Sequence, residues 1–152
     1  MINPQGYWIP DAVTADVIVL TKDAGGKIWT LLIKRGKAPY ENCLAIPGGF
    51  LDQQDLSIED CALRELQEET HISVAKGDLN LIGVFSHPDR DPRGRFIGLA
   101  YYVWVSQAVY DTTLAGDDAS AVVKLALEEI SNKPLAFDHN EIFQALTAKI
   151  NG

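Results

Sequence analysis

Residues 46–72 read IPGGFLDQQDLSIEDCALRELQEETHI, and few backbone arrangements accommodate such a stretch. Ser57 followed three residues later by Asp60 has the spacing of a capping box, with Leu56 and Cys61 placed to staple the helix start. A helix is expected from there to about Thr70. At about 100° per residue, Ile58, Cys61 and Ala62 share one stripe, and that stripe continues into Glu65, Glu68 and Glu69. A face that begins apolar thus ends acidic, with acids pointing where core residues should point. Carboxylates at such spacings repel one another by roughly 0.2–0.5 kcal/mol per pair. A bound divalent cation is the simplest compensation; the rival reading is a solvated acidic helix end.

The stretch resembles the Nudix box: Gly, five residues, Glu, seven residues, then Arg-Glu-aliphatic-any-Glu-Glu-any-Gly-aliphatic. Gly49 matches the first glycine, and Arg64-Glu65-Leu66-Gln67-Glu68-Glu69-Thr70-His71-Ile72 matches the second half. Two positions depart. Eight residues rather than seven separate Asp55 from Arg64, but the extra one precedes Ser57, so the helix keeps its internal spacing. His71 stands where the late glycine belongs and is expected in the left-handed conformation past the helix end, which His tolerates better than most side chains. In the family the early Glu is usually a structural partner of the Arg. The departure at Asp55 therefore bears on its contact with Arg64 more than on the metal ligands.

A chain of 152 residues, 47% hydrophobic and 22% charged, fits one domain over 1–152, with 1–12 as an N-terminal arm. No apolar run approaches the ~20 residues of a membrane helix. The start, MINPQGYWIPD, has neither basic region nor apolar signal core, so a cytoplasmic location is expected. Cys43 and Cys61 lack paired or metal-type spacing and read as small buried hydrophobes. The net charge of −8 argues against coating nucleic acid but not against a phosphorylated small molecule, because bound cations and a few arginines reverse the sign locally. Arg90, Arg93 and Arg95, three of five arginines, fall within six residues.

Residues 13–20 and 27–34 read as antiparallel strands joined by the turn Asp23-Ala24-Gly25-Gly26. A loop over 35–40 leads to a short strand at 43–46 and then to Gly48-Gly49, where the backbone can approach a ligand. Further strands are expected within 78–86, at 96–105 as a central strand, and at 121–125, with 87–95 irregular. Residues 127–130 read as a helical turn. Asp138 and Glu141 form a second capping pair, opening a helix to about Ile150 with Ile142, Phe143, Leu146 and Ile150 on one side. Consecutive strands without intervening helices imply a mixed sheet. The expected class is α/β, and resemblance to the Nudix fold, a mixed β-sheet sandwiched between α-helices, covers nearly the whole chain from about residue 13.

Three carboxylates on one helical face plus a backbone carbonyl make an all-oxygen site, which Mg²⁺ or Mn²⁺ prefers. The chemistry it invites is attack of a metal-activated water on phosphorus. The resemblance implies that Gly49, Glu65, Glu68 and Glu69 bind metal and that the glutamates are catalytic. Arg64, four residues before Glu68, suits an orienting ion pair. Asp118, beside Asp117, lies on a loop where related enzymes often carry a catalytic acid; Gly-Asp-Asp is equally a turn, and Glu68 competes as general base. His139 reads as structural. Tyr101, Tyr102 and Trp104 read as sheet side chains, one of which could stack on adenine.

HPDRDPRGR followed by FIGLAYYVWV, together with PGGF, GDDA at 116–119 and AFDH at 136–139, is similar to the ADP-ribose pyrophosphatase branch of the family. That branch includes free-standing hydrolases, domains fused to nicotinamide mononucleotide adenylyltransferases, and regulators of NAD metabolism. The resemblance implies that Arg90, Asp91 and Arg93 line the pocket and that Arg35 adds charge for the diphosphate. Arg95 suits a solvated surface equally well. The expected reaction is Mg²⁺-dependent hydrolysis of a nucleoside diphosphate linked to another group, with ADP-ribose giving AMP and ribose 5-phosphate. Alternatives are another Nudix substrate (NADH, a dinucleoside polyphosphate or an oxidised nucleotide) and a non-catalytic ADP-ribose sensor. Regulators of the sensor type carry a DNA-binding domain after the Nudix part, whereas this sequence ends at Gly152. No nucleic-acid or membrane partner is expected, and a homodimer is expected by analogy alone.

Overall fold

The computed structural model describes residues 1–113 and 119–152. In chain order its elements are β1 (Ala12–Lys22), β2 (Ile28–Arg35), β3 (Leu44–Ala45), β4 (Gly48–Phe50), α1 (Ile58–Thr70), β5 (Asn80–Phe85), β6 (Phe96–Trp104), α2 (Gln107–Tyr110), β7 (Ala119–Ala126) and α3 (His139–Asn151), with 3₁₀ turns at 76–78 and 127–132. β1 is the spine of a mixed sheet. It pairs antiparallel with β2 and β4 and parallel with β6, from Ala12 opposite Phe96 to Leu20 opposite Trp104. β5 closes one edge on β6, while β3 and β7 both pair with β2.

Apolar residues on β1 feed both faces, as the two-residue strand period requires. Ile18 and Leu20 enter a core with Ile142, Phe143 and Leu146 of α3, whereas Val17 and Val19 enter a second with Cys61, Ala62 and Leu66 of α1. Each large side chain so buried contributes about 1.5–3 kcal/mol. The sheet therefore lies between helices, as the sequence predicts. Among the described residues no helix is long and apolar enough to cross a membrane.

Helix α1 begins at the expected cap: Ser57 Oγ accepts the Asp60 amide at 3.1 Å. It ends at His71, whose φ of 64° is left-handed and whose N–H reaches the Gln67 carbonyl at 2.8 Å. The hydrophobic staple does not form. Asp55 turns inward to Arg64, which leaves Leu56 on the outside of the loop at 95% exposure. The second capping pair fails too: Asp138 precedes α3 but makes no cap bond, because its carboxylate is taken by Arg90. β4 and α2 are additions to the sequence reading; a Gly-Gly-Phe strand and a four-residue helix carry too little pattern to be seen. The N-terminal arm is ordered through a bridge between Ile2 and Trp8, with the Arg95 guanidinium 5.3 Å from the Trp8 ring centre.

Candidate active site

A cleft of about 300 Å³ opens where β4, α1, the 87–95 loop and the start of α3 meet around β1. Its acidic wall belongs to α1. Gly49 lies so close to Glu65 that a Cβ there would come within 2.5 Å of the carboxylate, so only glycine permits this approach of backbone to acid. Glu69 is 9% exposed, and its Oε2 accepts the Gly48 amide at a long 3.4 Å. Burial, then the charge on Glu65, pushes the Glu69 carboxyl up to about 9. Burial also raises Glu65. Asp16, in the middle of apolar β1, faces the same cleft; burial pushes it up to about 7, with Arg90 pulling the other way. In all three, burial disfavours the charged form, so a positive charge brought among them would favour their ionisation.

Of these acids Arg64 holds Glu65. It grips Asp55 with two nitrogens at 2.8 and 2.9 Å and reaches Glu65 at 2.9 Å and Glu68 at 3.3 Å. The shorter Asp55 therefore retains the contact in spite of the inserted loop residue, and Arg64 holds its carboxyl down at about 2. Among the described residues no three His, Cys, Asp or Glu side chains come together closely enough to hold a metal ion by themselves. The donors that do face the cleft at Gly49, Glu65 and Glu69 are oxygens, which fits a hard cation that completes its shell with water and phosphate.

The opposite wall is basic and aromatic. The Arg35 Nε donates to the Pro39 carbonyl at 2.7 Å, and its guanidinium lies 4.9 Å from the Phe137 ring centre. Arg93 lies over Phe50, Phe96 and Phe137 at 5.0–5.5 Å and donates to both oxygens of Asp91. Burial works against the Asp91 anion, yet these bonds hold its carboxyl below the usual carboxylate range. Arg90 is buried, fixed on both oxygens of Asp138 at 2.8 and 2.9 Å, and packed over Gly98, where a Cβ would meet Nη1 at 2.9 Å. His139 Nδ1 accepts the Ile46 amide at 2.9 Å. Burial pushes His139 down to about 4, so the ring is neutral, its proton on Nε2, and the Asp16 oxygen 4.0 Å away is no ion-pair partner at neutral pH.

The family model described as NUDIX domain matches residues 11–146. The chain belongs to the Nudix family. An ADP-ribose pyrophosphatase of Methanocaldococcus jannaschii is 36% identical over 146 residues, covering 95% of this chain and 78% of that protein. The NUDIX domain of Shewanella oneidensis NrtR, solved with ADP ribose, has a TM-score of 0.85 at 25% identity, covering 97% of this chain and 93% of that one. A bifunctional NMN adenylyltransferase/ADP ribose pyrophosphatase from Francisella tularensis, solved with AMP and a Mn ion, has a TM-score of 0.77 at 29% identity. There the match covers 95% of this chain but 43% of the other.

Within this Nudix fold, the residues expected from sequence are distributed unevenly. Gly49, Glu65, Glu69, Arg35, Arg90, Asp91 and Arg93 all line the cleft. Glu68 does not; its side chain is 55% exposed and rests on Arg64. Asp117 and Asp118 lie outside the described residues. Arg95 points away to Trp8 and the Ser86 carbonyl. Tyr101, Tyr102 and Trp104 are absent from the lining, whose aromatics are Phe50 and Phe137. Sequence reasoning missed both phenylalanines and Asp16, although a lone acid inside VTADVIVL was a legible signal. A second cavity of about 520 Å³, between α3 and the β1–β2 turn, is larger, but its charged residues Lys27 and Glu128 pair with each other at 3.5 Å.

Proposed function

We propose that this chain, with Mg²⁺ or Mn²⁺, hydrolyses the diphosphate of a nucleoside diphosphate linked to another group, with ADP-ribose giving AMP and ribose 5-phosphate. One observation carries the reading: a single cleft opposes buried α1 carboxylates, raised by their burial and by one another's charge, to arginines 35, 90 and 93. The archaeal pyrophosphatase supports the substrate choice, and the manganese in the Francisella structure supports a divalent cation.

In this reading Gly49 offers its carbonyl and Glu65 and Glu69 their carboxylates to the cation, which when bound polarises phosphate oxygens and acidifies a water. Arg35 and Arg93 receive the diphosphate, held in place by the aromatic rings they lie on. Glu68, which stands on Arg64 beside the cleft lining, and Asp118 are the two competing candidates for the base that takes a proton from the attacking water. AMP release from ADP-ribose in Mg²⁺, followed by chromatography for wild type and Glu69→Gln, tests the proposal. A loss of at least a hundredfold is expected; equal rates would remove Glu69 from the chemistry. Tight ADP-ribose binding with no AMP released in saturating Mg²⁺ would identify a sensor instead.

A further inference from the structure

Three consecutive side chains of the Ala136-Phe137-Asp138-His139 segment reach three different parts of the cleft. Phe137 adopts φ 53°, a costly conformation for a residue with a Cβ, and so brings its ring under Arg35 and Arg93, 4.9 and 5.5 Å from the guanidinium carbons. Asp138 takes Arg90 through two hydrogen bonds rather than capping its own helix. His139 Nδ1 accepts the amide of Ile46, directly before Pro47-Gly48-Gly49. The segment is itself anchored to the strand leading into that turn: the Ala136 amide donates to the Leu44 carbonyl at 2.8 Å, and Asn140 Oδ1 holds the Leu135 amide at 3.0 Å.

Local needs do not explain this arrangement. A helix of this length gains from an Asp side chain on its first amides, and α3 forgoes that bond. What the segment obtains is a fixed separation between the basic wall and the glycine turn, set from one short run of backbone.

We infer that residues 137–139 are positioning residues for the cleft, with Asp138 and His139 acting on opposite walls. Asp138 aims Arg90 at the anionic ligand, and His139 fixes the turn that presents Gly49 to Glu65 and Glu69. The assignment to nucleotide and metal rests on the function proposed above; the mechanical assignment does not.

The two parts separate in a variant series. Asn at 139 keeps an acceptor near the place of Nδ1, whereas Gln moves it one carbon further out. Asp138→Asn preserves shape but leaves the buried Arg90 without its counter-charge. For wild type, Asp138→Asn, His139→Asn and His139→Gln, three quantities are measured: Mn²⁺ affinity from the free-ion paramagnetic signal, ADP-ribose affinity in EDTA by calorimetry, and amide exchange in the ligand-free protein. Asp138→Asn is expected to weaken ADP-ribose tenfold or more with Mn²⁺ within twofold, and to speed exchange across 87–95. His139→Gln is expected to weaken Mn²⁺ tenfold or more with ADP-ribose within twofold, and to speed exchange across 46–50. His139→Asn should stay within threefold of wild type in both constants. Constants that fall together in each variant, or identical behaviour of the Asn and Gln variants at 139, would overturn the inference; should the Gln variant fail to fold, the Asp138→Asn comparison decides it. Exchange that separates as expected in a chain binding neither Mn²⁺ nor ADP-ribose would uphold the mechanical part and refute the pyrophosphatase reading instead.

Discussion

Replacing Glu69 by Gln should make the metal-free protein more stable while abolishing its response to metal. Glu69 is buried beside Gly48, and burial together with the Glu65 charge pushes its carboxyl from 4.5 up to about 9. Because the native value lies above the unfolded one, the folded state binds the proton more tightly. That contribution is complete below about pH 4.5 and is lost as pH rises towards about 9. Each pH unit inside the window costs about 1.4 kcal/mol, so by pH 7 about 3 kcal/mol has been forgone. Gln carries no charge to desolvate and keeps an oxygen for the Gly48 amide. On a chain of this size the gain corresponds to roughly 6–12 °C in melting temperature. Melting both proteins in EDTA from pH 5 to pH 9 should show wild type falling and the variant nearly level, the curves separating above pH 5. Excess Mg²⁺ should then raise wild type and leave the variant unmoved. A Gln variant that melts at or below wild type at pH 8 in EDTA would refute the claim that Glu69 is a desolvated acid.

Other consequences are as direct. His71→Gly should raise stability by about 0.5–1 kcal/mol, because glycine adopts the left-handed cap without the Cβ cost; a urea midpoint that falls at unchanged slope would contradict this. Leu56→Ser should change stability by less than about 0.5 kcal/mol in the same titration, since the side chain packs on nothing that a staple would provide. Burial, then the Asp55 charge, pushes the Cys61 thiol up to about 12, so it should resist a disulfide reagent until urea unfolds the chain, as read by peptide mass; rapid native labelling of Cys61 would contradict the packing described.

Helix α1 was legible because everything that defines it is local: a Ser cap, a stripe of small apolar residues, then acids on the same stripe, all within a few turns. The β1–β2 hairpin was legible for the same reason, since alternation and a Gly-Gly turn need no distant partner. What escaped depends on pairs far apart in sequence. Asp138 has the spacing of a cap until Arg90, 48 residues away, claims its carboxylate, and no local rule reveals that competition. Leu56 has the spacing of a staple until the inserted residue and the inward turn of Asp55 move it outside. The cleft aromatics escaped because Phe50 and Phe137 carry no periodic signal, and the latter reaches its place through a backbone angle that nothing in the sequence announces. Asp16 is the intermediate case. Its burial could have been read from the apolar strand around it, but its destination could not.

The parallel pairing of β1 with β6 also governs the order in which the protein comes into being. Thr21 and Val105, joined by a hydrogen bond in the finished sheet, are separated by 84 residues, so β1 leaves the ribosome long before its neighbour exists. At translation rates of ~5–20 residues per second the wait is roughly 4–17 s. During it the β1–β2 hairpin carries one bare edge, a row of unpaired backbone N–H and C=O groups on a largely apolar strand. Helix α1 is made within that interval and can shelter Val17 and Val19 on one face, but the edge itself stays open until β6 arrives. The exposure lengthens in proportion as elongation slows, so slowing translation between β1 and β6 should increase aggregation of the nascent chain.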